Sequence, residues 1–283
     1  MKKPSLSDGV RYILIATFMF SLMQIGVKWL SHIPSYEIVT FRAVISLVVC
    51  WFLLKRAGIS PWGNNKPWLI ARGAAGTVAL TLFFYTLQRM PLASAVTLQY
   101  LSPIFTVIIA GVMLKEPPRP VQWLFFVVSF VGVVMIKGFD PRVTPVDVTL
   151  GVTAALFSAI AYNIIRKVRE DDHHLVVVFY FPLVTVPVIG TYTAFHWVMP
   201  APVDWLVLLV IGICVTIAQI YMTRAYQVER AANISNFNYL GVVFALVFGL
   251  MIFGEHVAWL ALGGIVLIIF GTVMSSRYRR AEP

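Results

Sequence analysis

Long apolar stretches of the chain hold a small set of side chains that can hydrogen-bond or pair with a charge. In the first half these are Gln24, Lys28, Arg42, Tyr85, Thr97, Gln99, Tyr100 and Ser102. In the second they are Tyr162, Asn163, Arg166, Tyr180, Gln219, Tyr221, Arg224, Asn233, Asn236, Asn238 and Tyr239. Their amides, hydroxyls and cations suit recognition of a polar solute rather than bond-making. A polar group in hydrocarbon is costly unless partnered, and a charge at its centre costs about 2.5 to 3.5 kcal/mol or more. Gln24, Lys28, Arg42, Tyr85, Gln99, Tyr100, Ser102, Asn163, Tyr180, Gln219, Arg224, Asn236, Asn238 and Tyr239 are therefore the candidate substrate-binding residues. The other role open to them is structural, because Tyr near span ends forms interfacial belts and Asn or Gln bonds neighbouring helices. Arg42 stands several residues into its apolar run. Facing a cavity, it favours a carboxylate or phosphate, which a guanidinium grips in a bidentate way. Its alternative is a bond to helix-end carbonyls or to Glu37.

What the apolar stretches lack is equally informative. None of the 12 acidic residues lies mid-stretch, although a carrier of cations, or one driven by protons, commonly needs a carboxylate there. The five histidines, His32, His173, His174, His196 and His256, fall in or near the connections. This disfavours export of cationic drugs and favours facilitated diffusion or exchange. The sequence contains no G-x-S-x-G, H-E-x-x-H or C-x-x-C motif and no glycine-rich phosphate loop, so no catalytic residue, metal site or cofactor is expected. No channel-filter sequence or gating-charge helix appears either.

The elements that must position these residues follow from composition. Of 283 residues, 59% are apolar and 12% charged, with a mean hydropathy of +0.84; a soluble domain carries roughly 25% charged residues. A span needs about 20 apolar residues. Apolar runs place ten of them near 10–31, 36–54, 68–88, 92–114, 120–137, 148–166, 175–197, 205–227, 231–253 and 257–276. The connections are too short to hold an extramembrane enzyme. Cys50 and Cys214 lie inside apolar runs and imply no disulfide framework. The net charge of +10 could signal a nucleic-acid surface, but its distribution points elsewhere. Counted by connection, 17 basic residues fall on the side of the N-terminus, Arg72 among them, and three on the other. Lys and Arg accumulate in cytoplasmic loops, so both termini are expected in the cytoplasm, and no nucleic-acid partner is expected. Lys28 and Arg42 complete the 22 as basic residues inside spans.

The chain also repeats. A shift of 139 positions aligns 68–136 with 207–275 without a gap, with 14 of 69 positions identical. Gly73 meets Gly212, Gln88 meets Gln227, Tyr100-Leu101 meets Tyr239-Leu240 and Glu116 meets Glu255. The first spans of each half agree more loosely. Two halves, 1–140 and 141–283, thus hold five spans each. An odd number sets the second half into the membrane upside down, a construction typical of secondary transporters with a midplane site. Gly73/Thr77 and Gly212/Thr216 place small residues four apart, which lets helices approach closely. Pro103 sits inside span four, where a missing donor kinks a helix.

The run Phe84-Tyr85-Thr86-Leu87-Gln88-Arg89-Met90-Pro91-Leu92-Ala93-Ser94-Ala95 leads to Tyr100-Leu101-Ser102-Pro103-Ile104-Phe105 and closes on Leu114-Lys115-Glu116. It resembles the EamA domain of the drug/metabolite transporter superfamily, and Gln219, Tyr221, Ala225, Glu229-Arg230-Ala231-Ala232 and Gly254-Glu255 repeat it. The resemblance implies an all-α membrane protein of ten helices in a 5+5 inverted repeat. It implies a carrier in the bacterial inner membrane that moves a small metabolite by alternating access, as monomer or homodimer. Glu116 and Glu255 match family glutamates and are read as structural or gating elements. Gln24 stands in a first span without an acid, whereas small multidrug exporters depend on a glutamate there, which puts drug export in doubt. The expected cargo is an anionic or zwitterionic metabolite, such as an amino acid or a relative of one. The alternatives are a membrane scaffold without transport or, among carriers, a proton-coupled drug, nucleoside or S-adenosylmethionine carrier.

Overall fold

The computed structural model describes residues 7–89, 95, 98–99, 101–115, 117, 119–137, 144–234, 237–238, 240–253, 263–264, 266–267, 269–271 and 274. Tyr100, Asn236, Tyr239, Glu116 and Glu255 lie outside these, as does Thr97. The described residues are nearly all helical: α1 Asp8–Trp29, α2 Ser35–Arg56, α3 Lys66–Arg89, α4 Ser102–Met113, α5 Pro120–Lys137, α6 Pro145–Lys167, α7 His174–Phe195, α8 Pro202–Val228, α9 Ala231–Ile234 and α10 Leu240–Phe253. Six of them, α1, α2, α3, α6, α7 and α8, are long and apolar enough to cross a membrane. Twenty-two residues at 1.5 Å each give about 33 Å, the thickness of the hydrocarbon core. Between 44% and 50% of each apolar window is buried, so about half of each helix surface is left for lipid. Trp51, Phe52, Val112 and Leu206 are among the large apolar side chains on that outer surface.

Helix ends follow local chemistry. The Ser7 hydroxyl accepts from the Val10 amide at the start of α1, and Thr144 with Asp147 forms a reciprocal capping box at the start of α6. Asp204 accepts from the Ala201 amide ahead of α8. Pro182 and Pro187 remove donors within α7, where the helix widens into a π turn over Val186–Gly190. Span four does not run through as one helix. Leu101 caps a new helix, and Pro103 falls in the first turn of α4, where the missing amide has no intrahelical acceptor to lose. Pro103 starts a helix rather than kinking one. At the equivalent place in span nine a short turn at Phe237-Asn238 separates α9 from α10.

The repeat reappears in the packing. α1 packs on α8 as α6 packs on α3; α2 packs on α8 as α7 packs on α3; α2 and α7 pack on each other. Individual contacts recur across the shift of 139, and those between the halves recur with their partners exchanged. Gln88 donates to the Ile33 carbonyl, and Gln227 to the Asp172 carbonyl. Thr77 and Thr185 share a hydroxyl bond, as do Thr216 and Ser46. Gly73 lies against Val184, and Gly212 against Ile45. His32 pairs with Asp204 at one end of α2, and Asn65 with Asp171 at the other. Exchange of partners is what a two-fold relation between halves produces. It carries the register of 139 back to residue 32, beyond the gapless stretch seen in the sequence.

Candidate functional site

Between the halves lies a cavity that offers about 120 Å³ to the centres of water molecules. Its polar wall comes from Thr17 and Gln24 on α1, Arg72 on α3, Gln99 and Ser102 at the break before α4, Ser158 and Tyr162 on α6, Gln219 on α8, and Asn238. Phe20, Phe83, Phe181 and Met222 supply much of the apolar remainder. On α3 the lining positions are 72, 76, 79, 80 and 83, one stripe of a 3.6-residue helix. Both broken spans contribute at the break, through Gln99, Ser102 and Asn238. Broken helices near a repeat interface are where transporters build solute sites.

Arg72 dominates the chemistry of this wall. It was counted among the basic residues outside the spans, but α3 starts at Lys66, so Arg72 stands about 9 Å along the helix and is 2% exposed. One guanidinium nitrogen, Nη2, donates to Gln219 Oε1 at 2.9 Å. Nε and Nη1 are buried without a partner among the described residues. The charge rests over the ring of Phe181, 5.2 Å from its centroid. A cation–π contact contributes about 2 kcal/mol when desolvated, whereas an unpaired buried ion costs several. Arg72 therefore has the chemistry to pair with an anion at the cavity wall. Opposite in character, Gln24 Oε1 and Gln99 Oε1 are buried acceptors without a donor among the described residues, while Gln99 donates to Ser158 at 2.9 Å. Free guanidinium donors and free amide acceptors in one cavity match a carboxylate with a neighbouring ammonium or hydroxyl. No carboxylate is among the described lining residues.

The structure brings five of the candidate residues together: Gln24, Gln99, Ser102, Gln219 and Asn238 line the cavity. The others have different surroundings. Tyr85 is exposed and accepts from Arg89 one turn along. Asn163 donates to the Thr106 and Ala159 carbonyls. Tyr180 donates to the Trp62 carbonyl, and Arg224 donates to His174 Nε2. Lys28 sits in the last turn of α1, beyond the cavity. Arg42 is 1% exposed and lies behind Phe181, with its guanidinium carbon 4.9 Å from that ring's centroid and 5.9 Å from that of Phe84. None of its three guanidinium nitrogens has a partner among the described residues. Glu37, the neighbour considered for it, instead accepts from the Val198 amide. Arg72, Thr17 and Ser158 were not singled out. For Arg72 the available signal was a basic residue already inside the apolar run that begins at 68.

A sequence profile of the EamA-like transporter family matches the chain twice, over residues 8–138 and 147–277. The pseudopaline exporter CntI of Pseudomonas aeruginosa is 32% identical over 97% of this chain and 98% of its own length. Human solute carrier family 35 member G1 is 29% identical over 96% of this chain and 80% of its own. A solved crystal structure with 17% sequence identity superposes with a TM-score of 0.84 over 98% of this chain and all of that one, a likeness of fold. Paired profile matches and full-length similarity establish that the chain belongs to the EamA-like transporter family.

Proposed function

We propose that the protein is a secondary carrier that exports a small anionic or zwitterionic metabolite by facilitated diffusion or exchange. In this reading ten helices cross the bacterial inner membrane as a 5+5 inverted repeat with both termini in the cytoplasm. The cavity opens to each side in turn as the halves rock. The observation that carries the reading is Arg72: a buried guanidinium on the cavity wall with Nε and Nη1 unpartnered among the described residues. A carboxylate on those donors, with Gln24 Oε1 and Gln99 Oε1 left for an ammonium or hydroxyl, describes an amino acid or a hydroxy acid. The absence of a carboxylate among the described lining residues disfavours a cationic cargo. A relative is named as an exporter, which supports the outward direction.

The test is a comparison of metabolites inside and outside cells that lack the protein and cells that overproduce it. Overproduction is expected to raise the external level of one or a few carboxylates or zwitterions and to lower their internal level. Differences confined to cationic compounds, or no differences in either compartment, would contradict the reading.

A further inference from the structure

Under the register of 139 part of the cavity wall pairs with itself. Leu80 matches Gln219, Phe83 matches Met222 and Gln99 matches Asn238, and both members of each pair line the cavity. Other lining positions have equivalents that do not line it, and two of these pairs involve an arginine. Arg72 lines the wall, whereas its equivalent Ile211 is packed in the core against Gly26. Phe181 lines the wall, whereas its equivalent Arg42 lies behind it. Positions 42 and 181 are each other's equivalents and also touch, which puts the contact on the two-fold axis between the halves.

Resting on the carrier reading, we propose that Arg42 is the anion-binding residue of the opposite conformation, and that the solute passes from Arg72 to Arg42 as the carrier changes state. Inverted-repeat carriers change state by rocking one half against the other, and halves of like fold then trade environments. After the exchange, position 42 occupies the place on the wall now held by Phe181, and position 72 the packed place now held by Ile211. Each state so presents one guanidinium to the solute, although neither arginine has a basic equivalent. The state of Arg42 in this structure fits a ligand held in reserve. Its side chain is buried, its three nitrogens have no partner among the described residues, and it rests on two aromatic rings. Arg72 lies over the same Phe181 ring at 5.2 Å, so both arginines pack on one aromatic side chain.

Single cysteines test the alternation without knowledge of the cargo. In a protein with Cys50→Ser and Cys214→Ser, Arg42→Cys and Phe181→Cys are each exposed to a membrane-impermeant sulfonated thiol reagent in right-side-out and inside-out vesicles. The two are expected to react from opposite sides. Reaction from the same side, or of Phe181→Cys alone, would overturn the proposal. Arg42→Gln adds a second readout. In proteoliposomes its uptake of the best-transported member of a set of alanine, glutamate, lactate and succinate is expected to fall about thirtyfold or more. Arg42→Lys should recover part of it. The unfolding midpoint of Arg42→Gln should stay level or rise, because an unpaired buried charge has been removed. A lowered midpoint, or uptake at the wild-type rate, would make Arg42 structural or idle and refute the handover. Uptake of none of the four solutes by the wild-type protein would count against the carrier reading, while the labelling pattern would still decide whether positions 42 and 181 alternate.

Discussion

The two halves meet through matching contacts and carry unlike chemistry. Gln88 and Gln227 each reach a carbonyl within their own half, and hydroxyl pairs join the halves, α3 to α7 and α8 to α2. Across that frame, Arg72 answers to Ile211 and Arg42 to Phe181. These contacts of the frame are kept in duplicate, whereas each of the two buried guanidinium charges is present once per pair. Symmetry here belongs to the frame and asymmetry to the buried charge.

Substitution at the asymmetric pair separates the two roles most strongly. Arg72→Gln removes the charge facing the cavity, and the loss of a buried charged contact of this kind amounts to about 2 to 5 kcal/mol. Half-saturation for an anionic solute in proteoliposomes should therefore weaken about thirtyfold or more. Ile211→Val, at the equivalent position, should leave it within about twofold, because it changes only core packing by about 0.5 to 1.5 kcal/mol.

The duplicated contacts can be broken at their glycines, with a smaller effect that should itself be unequal. A Cβ on Gly73 would meet the Tyr180 backbone carbonyl at 2.7 Å, whereas one on Gly212 would meet only the Ile45 side chain. Backbone cannot give way as a side chain can. Gly73→Ala should lower stability by about 1 to 3 kcal/mol, the range for overpacking, and Gly212→Ala by less. Thermal unfolding in detergent orders the two, and equal losses would show that the halves are stiffer than their contacts suggest.

The smallest effect concerns the connection between α6 and α7. His173 Nδ1 accepts from the Leu175 amide at 3.3 Å, a role only the unprotonated nitrogen can fill. Burial first, and the Arg224 charge second, lower the pKa of His173 from its ordinary value near 6.5. A histidine held neutral in the fold is indifferent to pH above that value. Below it the unfolded chain takes up a proton that the fold refuses, so stability declines as pH falls. His173→Asn keeps an acceptor at the helix start without a titrating group. Its unfolding midpoint should fall less than that of the wild type between pH 7.5 and 5.5, values chosen about one unit to either side of 6.5.

Much of this was readable from residue types alone. The intramembrane amides, the register of 139 and the want of a mid-span acid all sit in the sequence, and Gln24, Gln99, Gln219 and Asn238 do meet in one cavity. What composition cannot give is the face of a helix. Tyr85 lies two positions past Phe83, about 200° round the helix from the lining stripe, and faces outward. Tyr180 is spent on the Trp62 carbonyl. Arg72 was hidden for another reason: a basic residue near a helix start reads as a loop charge, and only the packing of α3 against α6 and α7 shows it to be enclosed. Arg42 was visible as a charge out of place, but its position behind Phe181 depends on how two halves of the chain cross.

The central claim is that one enclosed guanidinium makes the cavity select anions. Its most direct test is the ratio of uptake of a carboxylate or zwitterion to that of a cation of similar size, measured in proteoliposomes with the wild-type protein and with Arg72→Gln. A high ratio in the wild type that collapses towards unity in Arg72→Gln is the predicted result. A ratio that is the same in both proteins would contradict the claim.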